Sequence, residues 1–284
     1  METILNVLRK TEAFLATKGL EQPKLEAEWL LASGLGLRRM DLYLQFERPL
    51  TEPELSRLRD LVRERGKRVP LQHLMGEQEF HGCRIRTDRR ALIPRPETEE
   101  LVEAVIARST SAPKKILDLG TGSGCIALAF GKAFPLARIA AVDRSEAALE
   151  LARENMALNP ESSRGIQLRV GNWFDGQEHD FDLIVSNPPY LSALEWSDSQ
   201  PEVREHDPRE ALVADQDGWA DLLHLVEHGY RHLVAGGLLA IETGPDHHDR
   251  LLHMAGKLPY GEVESERDLA GRPRFLFLKT PLSP

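Results

Sequence analysis

The chain has 284 residues, 41% of them hydrophobic and 29% charged, with a formal net charge of -9. That length admits one large domain and a smaller one, each with a buried core, and the acidic balance argues against a broad phosphate footprint for duplex nucleic acid while leaving room for a local basic face. Two cysteines, Cys83 and Cys125, stand far apart outside any CxxC pair, which indicates neither a disulfide framework nor a thiolate metal site. The start of the chain lacks the apolar core and basic flank of a secretion signal, and no apolar run is long enough to span a bilayer, so the expectation is a soluble, cytoplasmic protein without a membrane partner.

Residues 3–69 read as helices. Leu5, Leu8, Phe14 and Leu15, then Leu25, Trp29, Leu30 and Leu31, then Leu55, Leu58, Leu61 and Val62 recur at spacings near three and four. Gly19, Gly34, Gly36 and Pro49 separate the segments. Thr51-Glu52-Pro53-Glu54 is a helix start, with Thr51 as the cap and the acids at the positive end of the dipole. The last helix carries Arg57, Arg59, Arg63, Arg65, Lys67 and Arg68. Such a run reads as a solvated face, the commoner case, or as a basic face for an acidic partner or RNA.

Beyond Pro70, polar and apolar residues alternate around Gly82, which predicts a short hairpin. Leu92 to Glu99 holds two prolines, and Thr98 or Glu97 is expected to begin the helix through Leu101, Val102, Val105 and Ile106. Strands and helices then alternate: strand 115–119, helix 125–134, strand 138–142, helix 146–158, strands 166–170 and 181–185, helix 219–234 and strand 238–242. The tail supplies two more strands, 262–267 and 275–279, around a turn at Gly271-Arg272-Pro273. This predicts an α/β fold with a mainly parallel, doubly wound sheet, whose ligands bind beyond the carboxyl ends of the strands. The expected division is a helical domain over 1–72, a hairpin linker over 73–96 and a catalytic domain over 97–284.

Between the first strand and helix of that sheet lies Gly120-Thr121-Gly122-Ser123-Gly124. Glycines there permit a tight turn and a close backbone approach by a ligand, and the amides at the helix start are donors. The spacing departs from the G-x-G-x-x-G dinucleotide fingerprint and lacks the Lys and Ser/Thr of a P-loop. Asp143 ends the next strand, roughly 20 residues on, where a carboxylate can accept both hydroxyls of a ribose; capping the next helix is its other reading, although Ser145 can cap instead. Asn172 and Trp173 close the third strand and can hold an adenine, though a Trp there is more often core. Asn187-Pro188-Pro189-Tyr190 follows the apolar run 181–185 as a rigid turn suited to gripping a planar polar group.

With these motifs in this order, the chain resembles class I S-adenosyl-L-methionine-dependent methyltransferases that modify amino or amide nitrogens. Gly76 to Phe80, Leu92 to Glu99, Val185 to Tyr190 and Asp268 to Arg272 narrow this to a resemblance to the HemK/PrmC family, the peptide-chain release factor glutamine methyltransferases. The resemblance implies a Rossmann-like catalytic domain behind a helical domain and hairpin linker. It implies class 1 release factors as protein substrate, methylated on the glutamine of their Gly-Gly-Gln motif, with S-adenosyl-L-methionine as donor and no stable nucleic-acid binding. Gly120 to Gly124, Asp143, Asn172, Trp173 and Asn187 would contact the cofactor, and Asn187, Pro188, Pro189 and Tyr190 the glutamine. Family members commonly carry Asp where this chain has Asn172. No metal is expected: Asp246-His247-His248-Asp249 reads as a helix start with Asp246 as cap and exposed histidines. Arg95 and Glu97 either order the substrate entrance or pair with each other or with neighbours.

Overall fold

The computed structural model describes residues 2–282, which divide into two compact units. One comprises the chain up to Glu77 together with Gln200–His206; the other comprises Gln78–Ser199 and the chain from Asp207 onward. Among the described residues no helix is long and apolar enough to cross a membrane.

The first unit is built of α1 (Ile4–Thr17), α2 (Pro23–Leu35), α3 (Arg39–Leu44), α4 (Glu52–Gly66) and α5 (Leu71–Met75). Their apolar faces meet in a core of Ile4, Leu8, Leu15, Leu30, Leu31 and Leu58 among others. α4 starts as its sequence dictates: the Thr51 amide donates to the Glu54 carboxylate at 2.8 Å, and Pro53 lies in the first turn. Its basic run is compensated by acids of the same unit. Arg59 pairs with Glu52 at 2.7 Å, Arg63 with Asp60 at 2.5 Å, Lys67 with Glu64 at 2.8 Å and Arg68 with Glu202 at 2.7 Å. Arg65 is buried between Glu26 and Glu202.

The second unit opens with the hairpin β1 (Glu77–Phe80) and β2 (Cys83–Arg86). His81 and Gly82 both have positive φ, +47° and +70°, which matches the turn to the twist of the paired strands. There follow α6 (Pro96–Arg108), β3 (Lys115–Leu119), α7 (Cys125–Ala133), β4 (Arg138–Asp143), α8 (Glu146–Leu158), β5 (Ile166–Val170) and β6 (Phe181–Ser186). Next come α9 (Ala193–Asp198), α10 (Pro201–His206, in the first unit), the kinked turn α11 (Asp215–Gly218), α12 (Ala220–Gly229), β7 (Leu233–Glu242), α13 (His248–Ala255), β8 (Glu262–Arg267) and β9 (Pro273–Lys279).

The seven strands are ordered β5-β4-β3-β6-β7-β9-β8, parallel through β7 and antiparallel at β9 and β8. Alternate residues enter opposite cores. Ile116, Ile139, Ala141, Leu183 and Val185 face α6, α7 and the hairpin; Leu117, Leu119, Ala140, Val142 and Ile184 face α12 and α13. Helices on both faces explain why the middles of these strands are largely apolar. The order reverses at β3, so the carboxyl ends of β3, β4 and β6 open onto the crevice where ligands bind in such sheets.

Helix α12 ends at Gly229, earlier than the expected 234, and β7 begins at Leu233 instead of 238. The cause is a bulge: β7 pairs with β6 at Leu233–Phe181 and again at Leu238–Leu183, and Gly236, at φ +75°, turns the backbone between them. A glycine pair inside a strand masks the strand's beginning.

Candidate active site

A cleft opens at the carboxyl ends of β3, β4 and β6. One wall is the glycine loop, with Gly120, Thr121, Gly122 and Ser123 in the lining; the opposite wall is the apolar segment Ala91–Pro94. Asp143, Asn172, Trp173, Asn187 and Pro189 complete it. The sheet thus brings the expected donor-binding residues and the first part of the Asn-Pro-Pro-Tyr turn to one crevice. Gly124 stands behind the loop as the residue before α7, at φ +80°, where a Cβ would come 3.2 Å from that of Ala152. Pro188 and Tyr190 lie outside the lining.

Asp143 is held by the loop it faces. Its Oδ2 accepts the Gly122 amide at 2.8 Å and its Oδ1 the Ser145 amide at 2.9 Å. Ser145 caps α8, its Oγ accepting from Ala148 at 3.2 Å, so Asp143 is not used for that purpose. Each carboxylate oxygen has a second lone pair, and the pair could therefore take the two hydroxyls of a ribose. Burial raises the Asp143 pKa against the backbone amides that lower it. Trp173, at φ +50°, stands over Gly120 and donates its indole N–H to Asp221 at 3.0 Å. The Gly120, Thr121, Gly122 and Gly124 amides are spent within the protein, so the loop offers a close backbone approach, which with a partly buried acid and an apolar segment fits a nucleoside bearing an aliphatic arm.

Below the loop, Asp118 is fully buried and burial pushes its pKa up to about 7. Its Oδ2 accepts from the Thr121 hydroxyl at 2.6 Å and from the Ala127 amide at 3.1 Å, which fixes the turn between β3 and α7.

The Asn-Pro-Pro-Tyr turn rests on a polar chain that sequence reasoning missed. Asn187 Nδ2 donates to Thr98 Oγ1 at 2.9 Å, and Thr98 donates to Glu242 Oε2 at 2.7 Å. The Tyr190 hydroxyl donates to Glu242 Oε1 at 3.2 Å. Arg274 Nη1 lies 3.3 Å from the Tyr190 oxygen and donates to the Thr243 carbonyl at 3.1 Å. Burial raises the Glu242 pKa, while Thr98, the Arg274 charge and Tyr190 oppose it. The only sequence signal for Glu242 was an acid ending an apolar strand. Thr98, expected as a helix start, lies inside α6, whose cap is Arg95. Arg95 and Glu97 do not pair with each other: Arg95 reaches Asp207 at 2.5 Å, and Glu97 binds Arg272 at 3.0 Å. Arg272 is also held by Asp268 at 2.8 Å, so the tail motif buttresses the start of α6.

The expectation for residues 246–249 requires correction. His247 and His248 are buried at 5% and 3% exposure, and His247 precedes α13 in place of Asp246. Thr243 Oγ1 lies 2.7 Å from His248 Nε2 and Ser265 Oγ lies 2.8 Å from its Nδ1, so hydroxyls on both sides satisfy the ring. Among the described residues no group of three or more His, Cys, Asp or Glu side chains is arranged to hold a metal ion.

The family description PrmC N-terminal domain matches residues 6–76, and methyltransferase small domain matches 97–202. The chain is 39% identical to a release factor glutamine methyltransferase of Geobacter sulfurreducens, covering 95% of this chain and 94% of that one. It is 38% identical to that of Rhodopirellula baltica, covering 98% and 96%. Among solved structures, a methyltransferase from Pyrococcus furiosus superposes with a TM-score of 0.54 at 22% identity, covering 70% of this chain and 90% of that one. A ribosomal protein L11 methylase from Lactobacillus delbrueckii subsp. bulgaricus does so at 0.51 and 24%, covering 69% and 85%. The fold is that of the class I methyltransferases, and the chain belongs to the release factor glutamine methyltransferase family of S-adenosyl-L-methionine-dependent enzymes.

Proposed function

We propose that the cleft transfers a methyl group to the side-chain nitrogen of the glutamine in the Gly-Gly-Gln motif of class 1 release factors. The observation that carries this reading is Asn187, which lines the same cleft as the glycine loop and Asp143 while its Nδ2 is tied back to Thr98. S-adenosyl-L-methionine, when bound, supplies an electrophilic sulfonium methyl. Gly120 to Gly124, Asp143, Asn172 and Trp173 would hold it, the glycine loop by allowing close backbone approach, Asp143 as an acceptor for ribose hydroxyls, and Asn172 and Trp173 as partners for the base.

A carboxamide nitrogen is a weak nucleophile because its lone pair is delocalised into the carbonyl. Asn187 Oδ1 and the Pro188 carbonyl each accept one N–H of the substrate amide, which aims the nitrogen lone pair at the methyl. As positive charge grows on that nitrogen both acceptors bind it more strongly, so they favour the transition state over the ground state. Pro188 and Pro189 have fixed φ and bring no competing N–H. Tyr190, anchored on Glu242, closes the turn and keeps water from the amide. No strong base is needed, since the methylated, protonated amide is acidic and loses its proton to water or a nearby carbonyl.

The helical domain of residues 1–72 serves release-factor recognition, and the chemistry belongs to the second unit, to whose cleft the segment expected as a linker, residues 73–96, contributes Ala91–Pro94. Radiolabelled methyl should enter an intact release factor and fail to enter one whose Gly-Gly-Gln glutamine is replaced. Equal labelling of both, or labelling of nucleic acid instead, rejects the reading.

A further inference from the structure

We propose that Thr98 and Glu242 are positioning residues that fix which end of the Asn187 carboxamide is offered to the substrate; the inference rests on the acceptor role given to Asn187 above. The oxygen and nitrogen of a carboxamide have nearly the same size, so packing alone does not choose between the two orientations. The choice decides the chemistry. With Oδ1 presented, Asn187 accepts an N–H of the substrate nitrogen; with Nδ2 presented, it offers a donor to a donor and the productive pose is lost.

The buried chain behind Asn187 has one polarity. The Glu242 carboxylate is an acceptor, and it takes the single hydroxyl proton of Thr98 at 2.7 Å. Thr98 Oγ1 then has only lone pairs for its other neighbour. It accepts from Asn187 at 2.9 Å, which requires Nδ2 at that end and leaves Oδ1 at the other. Thr98 and Glu242 are 3% and 2% exposed, so bulk water has little access to reverse the chain. Tyr190 donates to the second Glu242 oxygen at 3.2 Å, which keeps that carboxylate turned toward Thr98. Three elements distant in sequence, the first turn of α6, the end of β7 and the turn after β6, thus converge to orient one amide.

Three variants test this: Thr98→Val removes the hydroxyl at nearly constant shape, Thr98→Ser keeps it, and Glu242→Gln lets residue 242 donate to Thr98 so that Thr98 can donate to Asn187 Oδ1. Methyl transfer to a release factor is followed in single turnovers, with donor affinity by calorimetry and the Asn187 side-chain amide by NMR. Thr98→Val and Glu242→Gln should lower the transfer rate roughly 30- to 300-fold, with donor affinity changed less than about threefold. Thr98→Ser should recover to within about fivefold of the parent, and the protected Nδ2 proton of Asn187 should lose its protection in Glu242→Gln. A Thr98→Val enzyme of parental rate, a Thr98→Ser enzyme as impaired as Thr98→Val, or losses that track donor affinity overturn the proposal. If Thr98→Val does not fold, Glu242→Gln and the NMR signal decide. Absence of transfer by the parent enzyme counts against the release-factor reading alone, because the Asn187 resonance reports its orientation without substrate: lost protection in Glu242→Gln supports the inference, and unchanged protection rejects it.

Discussion

The Asp143 carboxylate accepts the Gly122 amide hydrogen at 2.8 Å, so the acid at the end of β4 and the glycine loop after β3 are joined before any ligand arrives. A donor entering the cleft meets an acid already oriented. Asp143→Asn retains one oxygen for Gly122 and loses the second acceptor for a ribose diol. Its affinity for S-adenosyl-L-methionine should fall roughly 10- to 100-fold, about 1–3 kcal/mol, and stability should fall by about 1–3 kcal/mol as well, because the Asn NH2 faces the Ser145 amide that Oδ1 accepts in the parent. Calorimetry checks this; unchanged affinity would remove Asp143 from the donor site.

Asp118 makes stability depend on pH. Its ordinary pKa of 3.8 rises to about 7 in the folded protein, chiefly through desolvation. A raised acid pKa stabilises the fold while the proton is held, and that contribution is lost as pH rises from the unfolded value through the folded one. Relative to Asp118→Asn, the parent should therefore lose about 1.4 kcal/mol per pH unit between about pH 4 and 7, and no more above it. Urea unfolding of both proteins across that range gives the slope; parallel curves would show that Asp118 titrates normally.

Gly218 lies under the Asn-Pro-Pro-Tyr turn. It has φ +88°, and a Cβ there would come 2.3 Å from the Tyr190 carbonyl oxygen. Gly218→Ala must shift the Tyr190 backbone or distort α11, at about 2–4 kcal/mol. Methyl transfer should fall at least roughly tenfold with donor affinity largely kept, a split that parallel kinetic and binding assays resolve.

In the helical unit, Arg65 Nη2 contacts Glu26 at 3.0 Å and Glu202 at 2.8 Å while only 4% exposed. Arg65→Met leaves Glu26 without its cation and Glu202 with Arg68 alone, which should lower stability by about 3 kcal/mol. Differential scanning calorimetry should show the loss, and a larger loss than for Arg59→Met, whose pair with Glu52 is exposed.

Much of this was legible in the sequence, for identifiable reasons. Strands covered on both faces, such as Phe181 to Val185, are mostly apolar runs between turn residues, broken there only by Asp182, and the glycine loop and proline turn each hold their candidate residues in adjacent positions. What was hidden is what depends on partners distant in sequence. Thr98 and Glu242 are 144 residues apart, and neither residue type in its own setting announces a shared hydrogen bond. His248 looks polar and exposed until β7 and β8 bring Thr243 and Ser265 to its two ring nitrogens. The basic run of α4 could be read two ways because the acids that neutralise Arg65 and Arg68, Glu26 and Glu202, come from elsewhere in the chain.

The role proposed for Asn187 is to present an acceptor to a release-factor glutamine. Mass spectrometry of a release factor incubated with S-adenosyl-L-methionine and either the parent enzyme or Asn187→Ala tests it most directly. One added methyl group is expected on the peptide bearing the Gly-Gly-Gln motif with the parent, and almost none with Asn187→Ala, which still binds release factor. An unmodified peptide with the parent, or equal modification by the variant, would contradict it.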